Sequence, residues 1–164
     1  MAKQGGQILA RWQGSLKNAY SSPVEFLEMV QSSILEKGLP NISFSYVTLR
    51  EGGWFSPQRV YLRISCEKLF FYTSAFVAGN SLIVCWWLHR EAPGVADLFL
   101  ELPGIGYILE KTARAGTYYM VDFVEYFQRS VHESIIQVVD RLSEENGLEY
   151  LPDVARQPIW EEIW

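Results

Sequence analysis

The side chains here whose types could do chemistry are few: His89, His132, Cys66, Cys85 and one arginine set among aromatics, Arg63. A histidine beside a polar partner can hold or move a proton near neutral pH. His132 follows Gln128 by four residues, one helical turn, so the two share a helix margin and could meet a ligand's polar group. The more ordinary role of such a pair is a satisfied polar edge of a core. The two histidines and two cysteines could together supply four zinc ligands, yet no two have a close ligand spacing such as CxxC or HxxxH. The expectation is no metal and no cofactor. A cysteine nucleophile needs a nearby base and a lowered pKa, and a strand interior supplies the opposite. The carboxylates are scattered over helix faces that read as solvated. No catalytic constellation emerges, and the balance leans away from an enzyme.

Arg63 carries the sharpest binding hypothesis. Tyr61 lies two residues away on the same strand face. With the turns as read from sequence, Arg63 faces Tyr72, and Tyr72 faces Trp86. A guanidinium among aromatics is desolvated and stacked, and it stays charged at ordinary pH. It then needs a carboxylate of this chain, one of a second subunit, or an anionic ligand. The candidate ligand-binding set is Arg63, Tyr61, Tyr72, Trp86, Gln128 and His132. Trp54 and Phe55, after Gly52-Gly53, make a loop that either folds back on the body or serves as a contact surface.

These residues hang on one stretch. Residues 69–88, LFFYTSAFVAGNSLIVCWWL, contain no charge. A spanning helix needs about 20 such residues. Gly79-Asn80-Ser81 at the centre and the aromatic and β-branched content favour a hairpin of strands 69–77 and 81–89 instead. Strand 60–66 precedes it across the two-residue turn Glu67-Lys68, and 41–50 is a further strand. A three-residue turn at 78–80 puts Leu62, Ile64, Cys66, Phe71, Ala75, Ile83, Cys85 and Trp87 on one face. It puts Tyr61, Arg63, Phe70, Tyr72, Phe76, Leu82, Val84, Trp86 and Leu88 on the other. Shortening that turn by one residue would swap every side chain of the last strand. Both faces are apolar, so both need cover, whereas a solvated antiparallel sheet alternates.

The flanking segments supply part of that cover. Ser22-Pro23-Val24-Glu25 reads as a capping box with proline at the first helical position, and Gly38 ends that helix. Its apolar stripe is Phe26, Leu27, Val30, Ile34 and Leu35. A long helix is expected over 122–146, started by Asp122 and Glu125 and stopped at Gly147. Its stripe is Phe123, Val124, Phe127, Val131, Ile135, Val138 and Leu142. Between them, 93–100 and 105–114 read as helical pieces, either covering the core or docking on a membrane or partner. Residues 1–20 read as a lead-in arm or short strand. Residues 148–164 read as a tail too apolar to stay free, and so docked.

The whole chain is 164 residues, 49% hydrophobic and 15% aromatic, with a formal net charge of −5. That is one domain of ordinary size. The acidic balance and the lack of a basic block argue against nucleic acid. Two cysteines do not make a disulfide scaffold, and the first residues lack a signal-peptide apolar core, so the cytoplasm is the expected location.

The segments Ile42-Ser43-Phe44-Ser45 through Glu51-Gly52-Gly53, Tyr61-Leu62-Arg63, Val84-Cys85-Trp86-Trp87-Leu88, Phe127-Gln128 with Val131-His132, and Val138-Val139-Asp140 resemble a family of uncharacterised bacterial proteins. Some members of that family sit in genomes and some in mobile gene cassettes of integrons. The resemblance implies a bacterial protein and brings no activity with it. Some relatives carry a more hydrophobic stretch of membrane-inserting character where this chain has residues 95–109. Here Asp97, Glu101 and Glu110 interrupt it, which argues against membrane insertion and leaves surface contact with a membrane through 95–109 as an open alternative.

The expected architecture is α+β: an N-terminal helix, a four-stranded antiparallel meander, and a long C-terminal helix packed on one sheet face. The expected function is a non-enzymatic binding module for a small apolar or anionic ligand held between aromatic sheet and helix. The alternative is an interaction or self-association module using the aromatic sheet face, with a homodimer as its form.

Overall fold

The computed structural model describes residues 6–50, 58–91 and 106–161, with side chains described for 8–50, 58–91 and 121–161. The fold is α+β. Its elements in chain order are β1 (Gly6–Lys17), α1 (Pro23–Glu36), β2 (Ile42–Arg50), β3 (Gln58–Cys66), β4 (Leu69–Ala78), β5 (Ser81–Glu91), α2 (Gly106–Glu145), a 3-10 turn (Asp153–Arg156) and β6 (Ile159–Trp160).

The sheet is antiparallel and has six strands rather than four, in the order β2-β3-β4-β5-β1-β6. The meander β2 to β5 is where the alternation placed it. The difference lies at the ends of the chain. Residues 6–17 are not an arm but a twelve-residue strand, paired with β5 along its length and with β6 on its other side. Ala10, Trp12, Gly14 and Leu16 point inward from it, and Arg11, Gln13 and Ser15 point out. A bulge at Leu9 lets both Leu9 and Ala10 be buried.

The loop-free route from β1 to β2 must cross the sheet, because those strands lie four positions apart. Helix α1 makes that crossing. Its 14 residues span roughly 21 Å, close to the roughly 19 Å between strands four positions apart. Its capping box is complete: Glu25 N–H donates to Ser22 Oγ at 3.0 Å, and Ser22 N–H donates to Glu25 Oε2 at 3.2 Å. Gly38, at φ 63°, provides the left-handed exit. Phe26, Leu27, Val30 and Ile34 are buried, whereas Leu35, assigned to the stripe from spacing, points to solvent.

Helix α2 is 40 residues long and begins sixteen residues before the expected start. Asp122 and Glu125 therefore lie within the helix rather than at a cap. The expected helical piece 93–100 lies wholly, and the segment 95–109 mostly, outside the described residues, whereas the expected piece 105–114 is part of α2 from Gly106 on. From Val124 to Leu142 the expected stripe is buried, with Phe123 half-buried at its margin. Gly147, at φ 64°, ends the helix as expected. No described helix is long and apolar enough to cross a membrane.

Both helices, over their described side chains, lie on one face of the sheet. There Phe71, Trp86, Leu62, Ile64, Leu82, Val84 and Leu88 meet Phe26, Val30, Phe127, Val131 and Ile135 in a continuous core. Phe71 packs edge-on against Phe127 at 6.2 Å between centroids, and tilted on Trp86 at 4.6 Å. A buried Phe at the helix–sheet contact cannot be removed without leaving a cavity. Phe127→Ala should cost about 3–5 kcal/mol in a chemical melt, and a loss under about 1 kcal/mol would place that side chain outside the core.

Gly14 is a second point of close fit. A Cβ there would stand 2.5 Å from Cη2 and 2.7 Å from Cζ2 of Trp12, whose indole is itself buried. Gly14→Ala should therefore destabilise the protein by about 1–3 kcal/mol through overpacking. Restoration by a paired Trp12→Phe change, read in the same melt, would attribute the loss to that contact.

Candidate functional site

The hairpin turn between β4 and β5 decides which candidate residues meet. Ala78 pairs with Ser81, so the turn is the two residues Gly79-Asn80, with Gly79 at φ 62°. It is one residue shorter than the expected turn at 78–80, and every side chain of β5 changes face as a result. Leu82, Val84, Trp86 and Leu88 point to the helices, and Ile83, Cys85, Trp87 and His89 point to the outer face. Asn80 is held in this turn from outside. Its carbonyl accepts from Asn18 N–H at 2.7 Å, and its side-chain amide donates to Asn18 Oδ1 at 2.9 Å.

The six candidate binding residues consequently divide between the two faces and do not form one site. Arg63, Tyr61 and Tyr72 lie on the outer face, while Trp86, Gln128 and His132 lie on the helix side. Arg63 does pair directly with Tyr72, but Tyr72 pairs with Trp87 and not Trp86. Trp54 and Phe55 fall outside the described residues.

On the outer face, Arg63 Nε donates to Ser45 Oγ at 3.0 Å, and its guanidinium stands 5.7 Å from the Phe70 ring centroid. No carboxylate pairs with it among the described residues. Arg59 stacks more closely, 3.9 Å over Phe76. Tyr61 sits 6.0 Å from Trp87, and Tyr72 is edge-on to His89 at 5.4 Å. Tyr61, Tyr72, Ser74 and Cys85 are buried, and Phe70, Phe76, Ile83, Trp87 and His89 are half-buried. The cysteines are separated by the sheet. Cys66 faces the helices and donates to Pro40 O, while Cys85 faces outward and donates to Ser74 O. Burial, with Glu67 second, pushes the Cys66 thiol up, away from a reactive thiolate.

The helix side holds the more ordered polar construction. Trp12 and Trp86 are directly opposed on β1 and β5. Each must find an acceptor for its indole N–H, because both rings are buried. Trp86 Nε1 donates to His132 Nδ1 at 3.1 Å. Trp12 Nε1 donates to Ala155 O at 2.8 Å. His132 Nε2 lies 2.7 Å from Arg156 O and, since Nδ1 accepts, must be the protonated nitrogen that donates there. The imidazole wedges between the two indoles, edge-on to each at 5.4 and 5.5 Å. Arg156 then closes the construction. Its guanidinium makes a bidentate pair with Asp140 at 2.7 and 2.9 Å, and its Nε donates to Leu151 O at 2.7 Å.

This network clamps the C-terminal segment to α2 and to β1. Beside it runs a cleft of about 550 Å³, lined by Glu125, Gln128, Arg129, His132, Glu133, Ile136 and Gln137 of α2 and by Arg156, Gln157, Pro158 and Trp160. Lys37 from α1 reaches Glu133 at 3.4 Å. Gln128 is 4% exposed, and its amide Nε2 is buried with no hydrogen-bond partner among the described residues. Sequence spacing put Gln128 beside His132. It could not show that the histidine is doubly satisfied while the glutamine is not, because the histidine's partners come from β5 and from residues beyond Gly147. Arg156 and Trp160 are not among the site residues expected from sequence: the apolar tail, Trp160 included, is expected to dock, but only folding shows that it docks beside α2. The same four groups that could have ligated zinc are dispersed, and no cluster of three or more metal-binding side chains exists among the described residues.

No family model, curated protein or solved structure matches this chain. The functional argument rests on the geometry above.

Burial lowers the His132 pKa, and the bond to the Arg156 carbonyl and the charge of Glu133 oppose this only in part. His89 is lowered by burial as well. A histidine with a depressed folded pKa is neutral in the fold while the unfolded chain takes up a proton, so stability rises with pH across that interval. The contribution is complete above the unfolded value of 6.5. It is lost as pH falls through the lower folded value. Protonated His132 would also turn an N–H toward the Trp86 N–H. Melting at stepped pH should show stability falling below about pH 6.5. His132→Phe should flatten that slope and leave the His89 share, and an unchanged slope in the variant would assign the effect elsewhere.

Proposed function

We propose that the protein is a non-enzymatic binding module, and that its ligand enters the cleft between α2 and the C-terminal segment. The observation that carries this reading is the Gln128 amide, buried and unpartnered at the floor of that cleft. An unsatisfied buried amide costs about 1–3 kcal/mol, and an apolar side chain of like size would avoid the cost. Such a group calls for an explanation, and an intermittently bound acceptor is one. The interface between sheet and helix, where the sequence pattern places a ligand, is packed by Trp86, Phe71, Phe127, Val131 and Ile135. A second cleft, of about 660 Å³ between α1 and α2, is lined by Glu25, Glu28, Glu36 and Glu145 and has no such buried unpaired amide, so the cleft beside Gln128 is the better place for a guest.

The walls suit a small molecule with an apolar body and one acceptor group. Ile136, Pro158 and Trp160 supply apolar surface, and Trp160 is 40% exposed, enough to stack a ring. Around the rim Arg129 and Arg156 are balanced by Glu125 and Glu133, and Asp140 already holds Arg156. A carbonyl or a carboxylate would each suit the amide donor. His132 is not free to act as a general base, because both ring nitrogens are engaged in neutral-form bonds.

Phenylacetate and phenylacetamide serve as charged and neutral probes of this site, followed by Trp fluorescence and by calorimetric titration. Binding of either one, weakened at least tenfold in Gln128→Met, is the expected result. The same variant should be more stable than the parent by about 1–3 kcal/mol, because the unpaired amide is gone. Loss of stability in Gln128→Met, or binding of neither probe, overturns the reading.

A further inference from the structure

We propose that two copies of the chain join edge to edge along β2, in antiparallel register about a twofold axis at Tyr46, and so make one continuous sheet. The two edges of the sheet are built very differently. The β6 edge is two residues long and lies beside a β1 that carries a bulge and an outward Arg11. Arg11 there is paired with Glu161 at 2.8 Å. Shortness, bulges and charge are the usual means by which edge strands avoid pairing with another chain.

The β2 edge has none of these apart from one charge at its last residue, Arg50. It is nine residues long, pairs with β3 in unbroken register from Ile42 to Arg50, and has no second strand partner among the described residues. Residues 42–49, ISFSYVTL, contain no charge, proline or glycine. Tyr46, at the strand's centre, is 47% exposed despite its bond to Gln31 of α1. A bare polar backbone row flanked by β-branched and aromatic residues is a template for another strand.

The occupant is a second copy because β2 is complementary to itself. An odd strand of nine residues folded on its midpoint pairs Tyr46 with Tyr46 and Phe44 with Thr48. Its one charge, Arg50, falls opposite Ile42, so no like charges meet. Even-numbered residues pair with even-numbered ones, so the helix-covered face of one copy continues into that of the other. This closes as a twofold and leaves no further β2 edge, whereas a parallel or shifted pairing would leave unmatched ends.

Light scattering at micromolar concentration should report twice 18.9 kDa. Tyr46→Lys places like charges opposite each other across the axis and should return the mass to a monomer, with a far-UV spectrum equal to the parent's. Tyr46→Cys should yield a covalent dimer under mild oxidation, since directly opposed Cα atoms lie about 4.5–5.5 Å apart. Thr48→Cys should not, because its two copies would be separated by roughly 13 Å. The native Cys66 and Cys85 are both buried and give a low background. A monomeric parent overturns the proposal. So does a dimer that ignores Tyr46→Lys, or one that crosslinks at position 48 and not at 46.

Discussion

The rest of the structure depends on satisfying two buried indoles. Trp12 and Trp86 face each other on adjacent strands, and neither N–H can reach water. Leaving either unpaired would cost about 1–3 kcal/mol, a sizeable part of a typical folding margin of about 5–15 kcal/mol. Trp86 takes an imidazole nitrogen from α2, and Trp12 takes a carbonyl from the 3-10 turn. His132 passes the requirement on, because its other nitrogen needs the Arg156 carbonyl. The first strand, the last long strand, the long helix and the C-terminal segment are thereby linked through hydrogen bonds whose donors and acceptors come from distant parts of the chain. Gly14 is part of the same construction, as the space beside it is taken by the Trp12 ring.

That linkage explains why this polar network is structural while one unfulfilled polar group, the Gln128 amide, lies next to it. His132 is held neutral and spent on both sides. Gln128, one turn earlier, faces the groove that the docked segment creates against α2, and there it finds no partner. The clamp and the cleft therefore have a common origin. Docking the segment closes the Trp12 indole bond and the second bond of His132 and, in doing so, raises the second wall of the groove.

The outer face follows from a different constraint. Once Gly79-Asn80 sets the β4–β5 register, Trp86 is committed to the core, and Trp87 to the side bearing Arg63 and Arg59. Arg59 and Arg63 lie close to half-buried Phe76 and Phe70. A guanidinium tolerates that setting where an ammonium would not, since its flat, weakly hydrated face stacks on a ring. The same face reaches β2 through Ser45, which accepts from Arg63.

Local rules alone determined a good part of this protein. Ser22, Pro23 and Glu25 specify the start of α1, Gly38 and Gly147 specify helix ends, and Glu67-Lys68 specifies a hairpin, because each acts within a few residues of itself. The meander and the buried stripe of α2 were legible for the same reason, through periods of two and of 3.6 residues. Three features were not. The strand at 6–17 is stabilised by β5, some seventy residues away, so its sequence could be read only as an arm or a short strand and not as a full twelve-residue member of the sheet. A one-residue difference in the turn at Gly79-Asn80 is nearly silent locally, yet it moves every β5 side chain to the other face and parts Arg63 from Trp86. The partners of His132, and the isolation of Gln128, exist only because a tail past Gly147 folds back onto a strand at the other end of the chain. Spacing could bring Gln128 and His132 to one helix margin. Only tertiary structure, by supplying or withholding acceptors from remote segments, decided which of the two was satisfied.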